Sequence, residues 1–299
     1  MPHDPAFATP GRFYKGNIHT HSTASDGRLA PDEVCRRYRE AGYDFLALTD
    51  HFMAKYDFPI VDTRPFRTSS FTTLIGAEVH APETSLGEIW HLLAVGLPLE
   101  FAQTAADERA PELAARCAAS GAFVAIAHPT WYALSEADAE TIAVAHAVEV
   151  YNHTSQVRTD RGDGSYLLDQ LLASGRRINA CAVDDAHFHC NDAFGAFVMV
   201  KAQANEPELL LAALKAGAYY SSQGPRIDSV TFHGGAVEVV CSPAASIMAL
   251  GRGSRAVQKR EPDATRAVLS LDRIGNPGFV RMVVMDSAGR RAWTNPVWL

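Results

Sequence analysis

For roughly its first two thirds the chain alternates short apolar runs with amphipathic stretches; after that the period changes. Runs at 13–18, 44–49, 72–77, 89–96, 122–127, 147–151, 178–183, 197–201 and 219–222 are nearly continuous in apolar residues. Runs this short, apolar on both faces, predict buried strands. Between them lie stretches with helical spacing. At 31–42, Pro31 suits a first turn, Val34, Tyr38 and Ala41 recur at helical intervals, and Gly42 closes the pattern. Residues 105–120, ahead of Gly121, and those at 135–145, 164–173 and 207–216 read as further helices. Residues 52–70 carry Pro, Arg, Thr and Ser without periodicity and predict a surface loop, and 1–12 predict a loose arm.

Strand–helix alternation of this kind predicts an α/β fold, a parallel barrel or sheet. Beyond Pro225 the helical spacing disappears. Short runs at 229–233, 236–241, 246–250, 267–271, 280–285 and 292–299 follow, separated by Gly234-Gly235, Ser242-Pro243, Asn276-Pro277-Gly278 and Ser287-Ala288-Gly289. They predict a small antiparallel β module, sandwich-like in character. The expected division is an arm over 1–12, an α/β unit over 13–225 and the β module over 226–299.

The apolar runs end in residues that bind metals. His19 and His21 lie two apart in an extended segment and so face one side. Ser25-Asp26-Gly27 is a polar turn that can swing Asp26 back toward them. His51, Glu78, His128, Asp185 and His187 each follow a run, and only His91 sits near the start of one. In α/β barrels the functional residues gather at the carboxyl ends of strands. His19, His21, Asp26, His51, Glu78, His91, His128, Asp185 and His187 are therefore candidate metal ligands. Imidazoles with a few carboxylates suit Mn, Fe or Zn better than Ca or Mg. Nine ligands exceed the needs of one ion, which implies two or three divalent ions, with Glu78 and Asp185 as the natural bridges.

Such a cluster makes hydroxide from water near neutral pH and polarises a phosphoryl or carbonyl oxygen. His187 and His153 are candidates to protonate a leaving group and join Asp185 in the expected catalytic set. Asp50 and Asp184 adjoin ligands and are expected to orient them. Arg158, Lys201 and Arg226 are candidates to clamp a phosphate, and Asn152 to hold substrate. His80 and His189 stand two residues beyond ligands, either supporting them or not. His3, His146 and His233 read as structural or exposed, and Trp131, Tyr219 and Tyr220 as packing.

Composition narrows the setting. With 299 residues, 47% hydrophobic and 20% charged, the chain has ample core material and is not disordered. A formal charge of −7 weighs against extended nucleic-acid or anionic-membrane binding and leaves a small-molecule substrate. Five scattered cysteines without a Cys-x-x-Cys pair read as reduced thiols of a cytoplasmic protein. No basic leader with an apolar core opens the chain, and no apolar stretch is long enough to span a bilayer. Oligomeric state stays open.

Four blocks resemble the PHP (polymerase and histidinol phosphatase) superfamily of metal-dependent phosphoesterases. They are His19-Thr20-His21 with Ser25-Asp26-Gly27, then Thr49-Asp50-His51, Ala127-His128-Pro129 and Asp185-Ala186-His187, with Glu78 and His91 between. Tyr220-Ser221-Ser222-Gln223-Gly224-Pro225 and Ala292-Trp293-Thr294-Asn295-Pro296 look like the carbaryl-hydrolase-related (CehA/McbA) branch. The resemblance implies a distorted (β/α)7 barrel with metals at its mouth. It implies His19, His21, Glu78 and Asp185 on one ion, Glu78, His91 and His128 on a second, and Asp26, His51 and His187 on a third. The expected activity is hydrolysis of a phosphate ester of a small metabolite or nucleotide by metal-bridging hydroxide. A carboxyl, carbamate or aryl ester is the alternative, and a non-catalytic metal-binding module a third reading.

Overall fold

The computed structural model describes residues 3–275 and 278–299. Met1, Pro2 and the Asn276-Pro277 part of one expected turn lie outside the described residues.

Each expected run in the first two thirds forms a strand. The strands are β1 (Arg12–Asn17), β2 (Phe45–Leu48), β3 (His51–Phe52), β4 (Thr72–Ala81), β5 (Trp90–Val95), β6 (Phe123–Ile126), β7 (Ala147–Asn152), β8 (Asn179–Val183), β9 (Phe197–Ala202) and β10 (Tyr219–Ser222). The helices are α1 (Pro5–Ala8), α2 (Pro31–Glu40), α3 (Ala110–Ala119), α4 (Glu136–Thr141), α5 (His153–Thr159), α6 (Ser165–Ala173) and α7 (Pro207–Lys215). α2 forms as its pattern dictates: proline in the first turn with Asp32 and Glu33, Arg37 and Arg39 in the last, and Val34, Cys35 and Tyr38 buried. Three elements were not expected, the first being β3, which enters the 52–70 stretch read as a loop. The arm is not loose: it carries α1, whose Phe7 lies 5.5 Å from the Phe13 ring and 5.9 Å from that of Tyr220. α5 has no apolar periodicity to announce it.

Both faces of the strands are buried, as their composition requires. In β2, Phe45 and Ala47 join one apolar cluster while Leu46 and Leu48 join another. In β6, Phe123 and Ala125 part from Val124 and Ile126 in the same way. Residues from β1, β2, β4 to β6, β7, β8 and β9 meet in one shared cluster, so the sheet curls round a common interior. The ends of the curl are fastened together. Thr20 and Ala186 form a parallel bridge, Asp185 N donates to the His19 carbonyl at 2.9 Å, and Asp184 N donates to Asn17 Oδ1 at 3.0 Å.

The sheet is mixed rather than parallel throughout. β1–β2, β2–β4, β6–β7 and β7–β8 pair parallel, but β4–β5, β5–β6, β1–β9 and β9–β10 pair antiparallel. The remaining strands are β11 (Ile227–His233), β12 (Ala236–Leu250), β13 (Ala256–Ser270), β14 (Phe279–Met285), β15 (Arg291–Thr294) and β16 (Val297–Trp298), all in antiparallel pairs. β12 runs unbroken where two strands were expected, with Pro243 absorbed at a register shift between Val240 and Ala244. β11 and β14 pair with its two halves, and the ladder closes over Val237, Val239, Ile247 and Val280. β15 pairs directly with β10, which continues the ladder from one region into the other.

Candidate metal centre

The centre forms where β1, β2, β4, β6 and β8 end. His19 and His21 face inward from the segment after β1, while Thr20 between them points away to the Tyr38 hydroxyl at 3.2 Å. The Ser22–Gly27 turn is held by Asp50, whose carboxylate accepts from Ser22 N (2.8 Å), Ser22 Oγ (2.7 Å) and Ser25 Oγ (2.6 Å). A side chain at Gly27 would bring a Cβ within 2.7 Å of the His21 backbone, so the turn that returns Asp26 requires glycine there. His91 is no exception to the strand-end rule. β5 runs antiparallel to β4, and its first residues therefore lie beside the last residues of β4, with His91 opposite His80.

Three groups of side chains converge. In the first, His19 Nε2 lies 3.3 Å from Asp185 Oδ1 and 3.6 Å from Glu78 Oε2. His21 Nε2 lies 2.9 Å and 3.5 Å from the same two oxygens. All four atoms are buried without a hydrogen-bond partner. Buried polar atoms normally find partners, and two imidazole nitrogens aimed at two carboxylate oxygens make a donor set for a divalent cation. In the second group, Glu78 Oε1 is 2.8 Å from His91 Nδ1 and 3.0 Å from His128 Nε2. In the third, Asp26 Oδ1 is 3.4 Å from both His51 Nε2 and His187 Nε2. The structure thus brings together every one of the nine ligand candidates.

Electrostatics favour positive charge here. Burial alone would push the carboxyls up, but His51, His91 and His19 hold Glu78 well below the usual carboxylate range. His19, His21 and His187 act likewise on Asp185, and His187 and His51 on Asp26. Burial, with His187 and His51 nearby, pushes His21 down to about 3, leaving a neutral ring with a lone pair to give. His51 moves the other way: against burial, Glu78 and Asp26 raise it to about 10. Two of the ligand candidates, His128 (φ 22°) and Asp185 (φ 56°), hold left-handed backbone angles that non-glycine residues rarely adopt.

The supports beneath are partly those expected. Asp50 fixes the ligand-bearing turn. Asp184 instead accepts from the Tyr38 hydroxyl (2.6 Å) and from the amides of Phe194, Gly195 and Ala196 (2.8 Å each), so it holds a loop and touches no ligand ring. Sequence reasoning missed Glu149. Its Oε1 lies 2.6 Å from His19 Nδ1, and its Oε2 accepts from His128 N at 2.7 Å. The signal was there, a lone charge inside the apolar run 147–151. His80 contacts His51, and His189 Nε2 donates to the Asp26 carbonyl at 2.7 Å.

A cleft of about 330 Å³ opens over the centre, floored by Asp26, His51, His91, His128, Asp185 and His187. Trp131, Thr154, Ser155, Arg158 and Thr159 form its walls. Of the proposed phosphate clamps only Arg158 reaches it, and among the described residues Arg158 pairs with no carboxylate. Lys201 is set opposite Phe13, at the far end of β1 from His19, because β9 runs antiparallel to β1; its amine rests 4.5 Å from the Phe13 ring centre. Arg226 is exposed at the start of β11 and paired with Asp228. His153, expected as an acid, opens α5 turned from the cleft; its Nδ1 meets the Tyr151 hydroxyl at 3.2 Å and its ring lies against Gly195. Asn152 is buried under the cleft and donates to Asp185 Oδ2 (3.1 Å) and Glu149 Oε2 (2.9 Å), so it positions Asp185 and does not face substrate. Trp131, read as packing, is 39% exposed on the cleft wall, its ring 5.5 Å from His91 and 5.2 Å from His128.

Fold and site define an α/β protein with a buried histidine–carboxylate centre suited to divalent cations. No family model matches the chain, and no curated protein matches its sequence. Among solved structures it is similar to a two-domain protein from Bacteroides vulgatus containing a predicted PHP-like metal-dependent phosphoesterase. The TM-score is 0.54 at 15% identity over 90% of each chain. An amidohydrolase from Chromobacterium violaceum, solved with bound sulfate and no metal, is more distant, at a TM-score of 0.42 and 15% identity over 57% of this chain and 87% of that one. The first likeness is one of fold, and it is the PHP-like fold that the motifs from His19 to His187 imply.

Proposed function

We propose that the chain is a metal-dependent hydrolase that cleaves phosphate esters of a small metabolite or nucleotide. The observation that carries this reading is the convergence of His19 Nε2, His21 Nε2, Glu78 Oε2 and Asp185 Oδ1, four buried atoms without hydrogen bonds, under an open cleft with a free arginine. Two or three Mn, Fe or Zn ions would be held by His19, His21, Glu78 and Asp185, by Glu78, His91 and His128, and by Asp26, His51 and His187. When bound, such ions lower the pKa of water and draw charge from a phosphoryl oxygen. The protein's own groups do the rest. Arg158 offers a planar fork to the non-bridging oxygens, and the hydroxyls of Thr154, Ser155 and Thr159 line the same wall. His187 donates Nδ1–H to the Asp185 carbonyl at 2.7 Å, and in the two-ion form, with no cation on its Nε2, the protonated ring can give a proton to the leaving oxygen.

Trp131 favours a second reading of the leaving group, a flat ring, whether in an aryl phosphate or in an aryl or carbamate ester at the same centre. We also place the protein in a reducing, cytoplasmic setting, acting on a small molecule and not on extended nucleic acid; among the described residues no helix is long and apolar enough to cross a membrane. The deciding experiment assays metal-replete protein side by side on p-nitrophenyl phosphate, bis-p-nitrophenyl phosphate and p-nitrophenyl and naphthyl esters. Phosphate release that vanishes in Asp185→Ala, together with bound metal, supports the proposal. Turnover of carboxyl esters alone moves the function to the second reading, and tight metal with no turnover moves it to a binding module. In either active case Trp131→Ala raises KM for aryl substrates about tenfold, the loss of one stacking contact, and spares glycerol phosphate.

A further inference from the structure

One histidine in the wall of the centre belongs to none of the three ion-holding groups proposed above. Glu78 and His80 stand two apart on β4 and share a face, and both are buried. His80 Nδ1 lies 3.1 Å from the Trp90 carbonyl oxygen, and its Nε2 lies 2.9 Å from His51 Nδ1. A carbonyl oxygen only accepts, so the His80 hydrogen sits on Nδ1 and the Nε2 lone pair faces His51. His51 must then carry its own hydrogen on Nδ1. That turns His51 Nε2 toward Asp26 Oδ1, which His187 Nε2 also approaches. A rival acceptor exists: Glu78 Oε2 is only 2.6 Å from His51 Nδ1. It lies off the bonding direction and remains a buried oxygen without a hydrogen bond.

We infer that His80 is a positioning residue that accepts the His51 Nδ1–H and so keeps that hydrogen off Glu78 Oε2, leaving two atoms for cations at once. His51 Nε2 is released to the outer ion beside Asp26 and His187, and Glu78 Oε2 to the inner ion beside His19 and His21. Without the His80 acceptor, the His51 N–H turns to Glu78 Oε2 and occupies an oxygen that the inner ion uses. The inference rests on the reading of the centre as an ion site.

The test compares the parent with His80→Leu, which removes the acceptor, and His80→Gln, which restores one. Mn(II) binding is measured by equilibrium dialysis with elemental analysis, and the His51 ring nitrogens are observed by ¹⁵N NMR in EDTA-treated protein. His80→Leu is expected to weaken one ion by about tenfold to a hundredfold, the usual cost of removing a hydrogen-bond partner of a metal-binding imidazole. That ion is the inner one, which His19→Ala also weakens, so the His19→Ala/His80→Leu double variant loses no further ion. His80→Gln recovers most of the loss, and the His51 Nδ1 resonance shifts in His80→Leu as its hydrogen passes from His80 to Glu78, and returns in His80→Gln. Unchanged Mn(II) affinity and an unchanged His51 spectrum in His80→Leu would overturn the inference. So would a double variant that loses two ions, which makes His80 a direct ligand with His91. If His80→Leu does not fold by circular dichroism, His80→Asn and His80→Gln carry the comparison. A parent that binds no Mn(II) defeats the ion reading, and the His51 Nδ1 resonance then decides the role of His80 by itself.

Discussion

At the scale of single residues, the centre depends on atoms whose second partner is as important as the first. His19 can offer Nε2 only because Glu149 takes its Nδ1 hydrogen at 2.6 Å, and the same carboxylate receives the His128 amide that follows β6. Glu149→Gln keeps the size and removes the charge. It should lower divalent-cation affinity by about tenfold to a hundredfold with the fold intact by circular dichroism, and dialysis against graded Mn(II) reads the change. The thiols separate just as sharply. Burial pushes Cys35 and Cys117 up to about 12, Cys241 up to about 11, and Cys181 well up; partial burial and Asp192 raise Cys190 too, but it alone of the five is exposed. Thiolate is the reactive form and must also be reached by the reagent, so access separates Cys190 from the rest. A disulfide reagent at pH 8 should therefore titrate one thiol in native protein and all five in denaturant; a second fast native thiol would contradict the burial described here.

At the scale of elements, strand positions were readable and strand directions were not. The runs that became β1 to β10 are apolar on both faces, a property that composition alone reveals. Nothing in an apolar run tells which way it points in the sheet, so His91 looked misplaced until β5 proved antiparallel to β4. Lys201 misled for the same reason, since β9 carries it to the wrong end of β1. α5 was invisible because Thr154, Ser155, Arg158 and Thr159 serve the cleft and leave no apolar stripe. The closing Asn295, noted in the sequence only as part of a family-like motif, turns out to tie three elements. Its Oδ1 accepts from Ala180 N at 2.9 Å, and its Nδ2 donates to the carbonyls of Gly217 and Tyr219 at 3.0 Å each. Asn295→Ala strands one buried amide and two carbonyls and should cost about 2–4 kcal/mol. Urea unfolding should show that loss as a lower midpoint at unchanged slope.

At the scale of the whole molecule, the convergence of the nine candidate ligands was legible because metal chemistry favours few residue types at a strand end, whereas the walls of the cleft can be built many ways. A divalent transition metal draws on few residue types, here histidine and carboxylate; the side chains that meet a substrate are less restricted, and of the four substrate-binding candidates only Arg158 lines the cleft. The same closure of the sheet joins His19 to Asp185, residues far apart in the chain, so cations bound there would add to the fold's stability. A ligand that binds only the native state adds about 2.7 kcal/mol at a hundred times its Kd, which for a chain of this size is a rise in Tm of roughly 4 °C. EDTA-treated protein should accordingly melt lower than protein supplied with Mn(II) or Zn(II), and the gain should grow with the logarithm of metal concentration. His19→Ala and Asp185→Ala remove donors common to the first group and should abolish most of that gain while leaving the metal-free Tm close to the parent's or above it, because the electrostatic cost of crowding unpaired imidazoles and carboxylates falls with each one removed. Scanning calorimetry on the three proteins, with and without metal, measures both effects. A Tm indifferent to metal in the parent would mean that these side chains converge for some purpose other than holding cations.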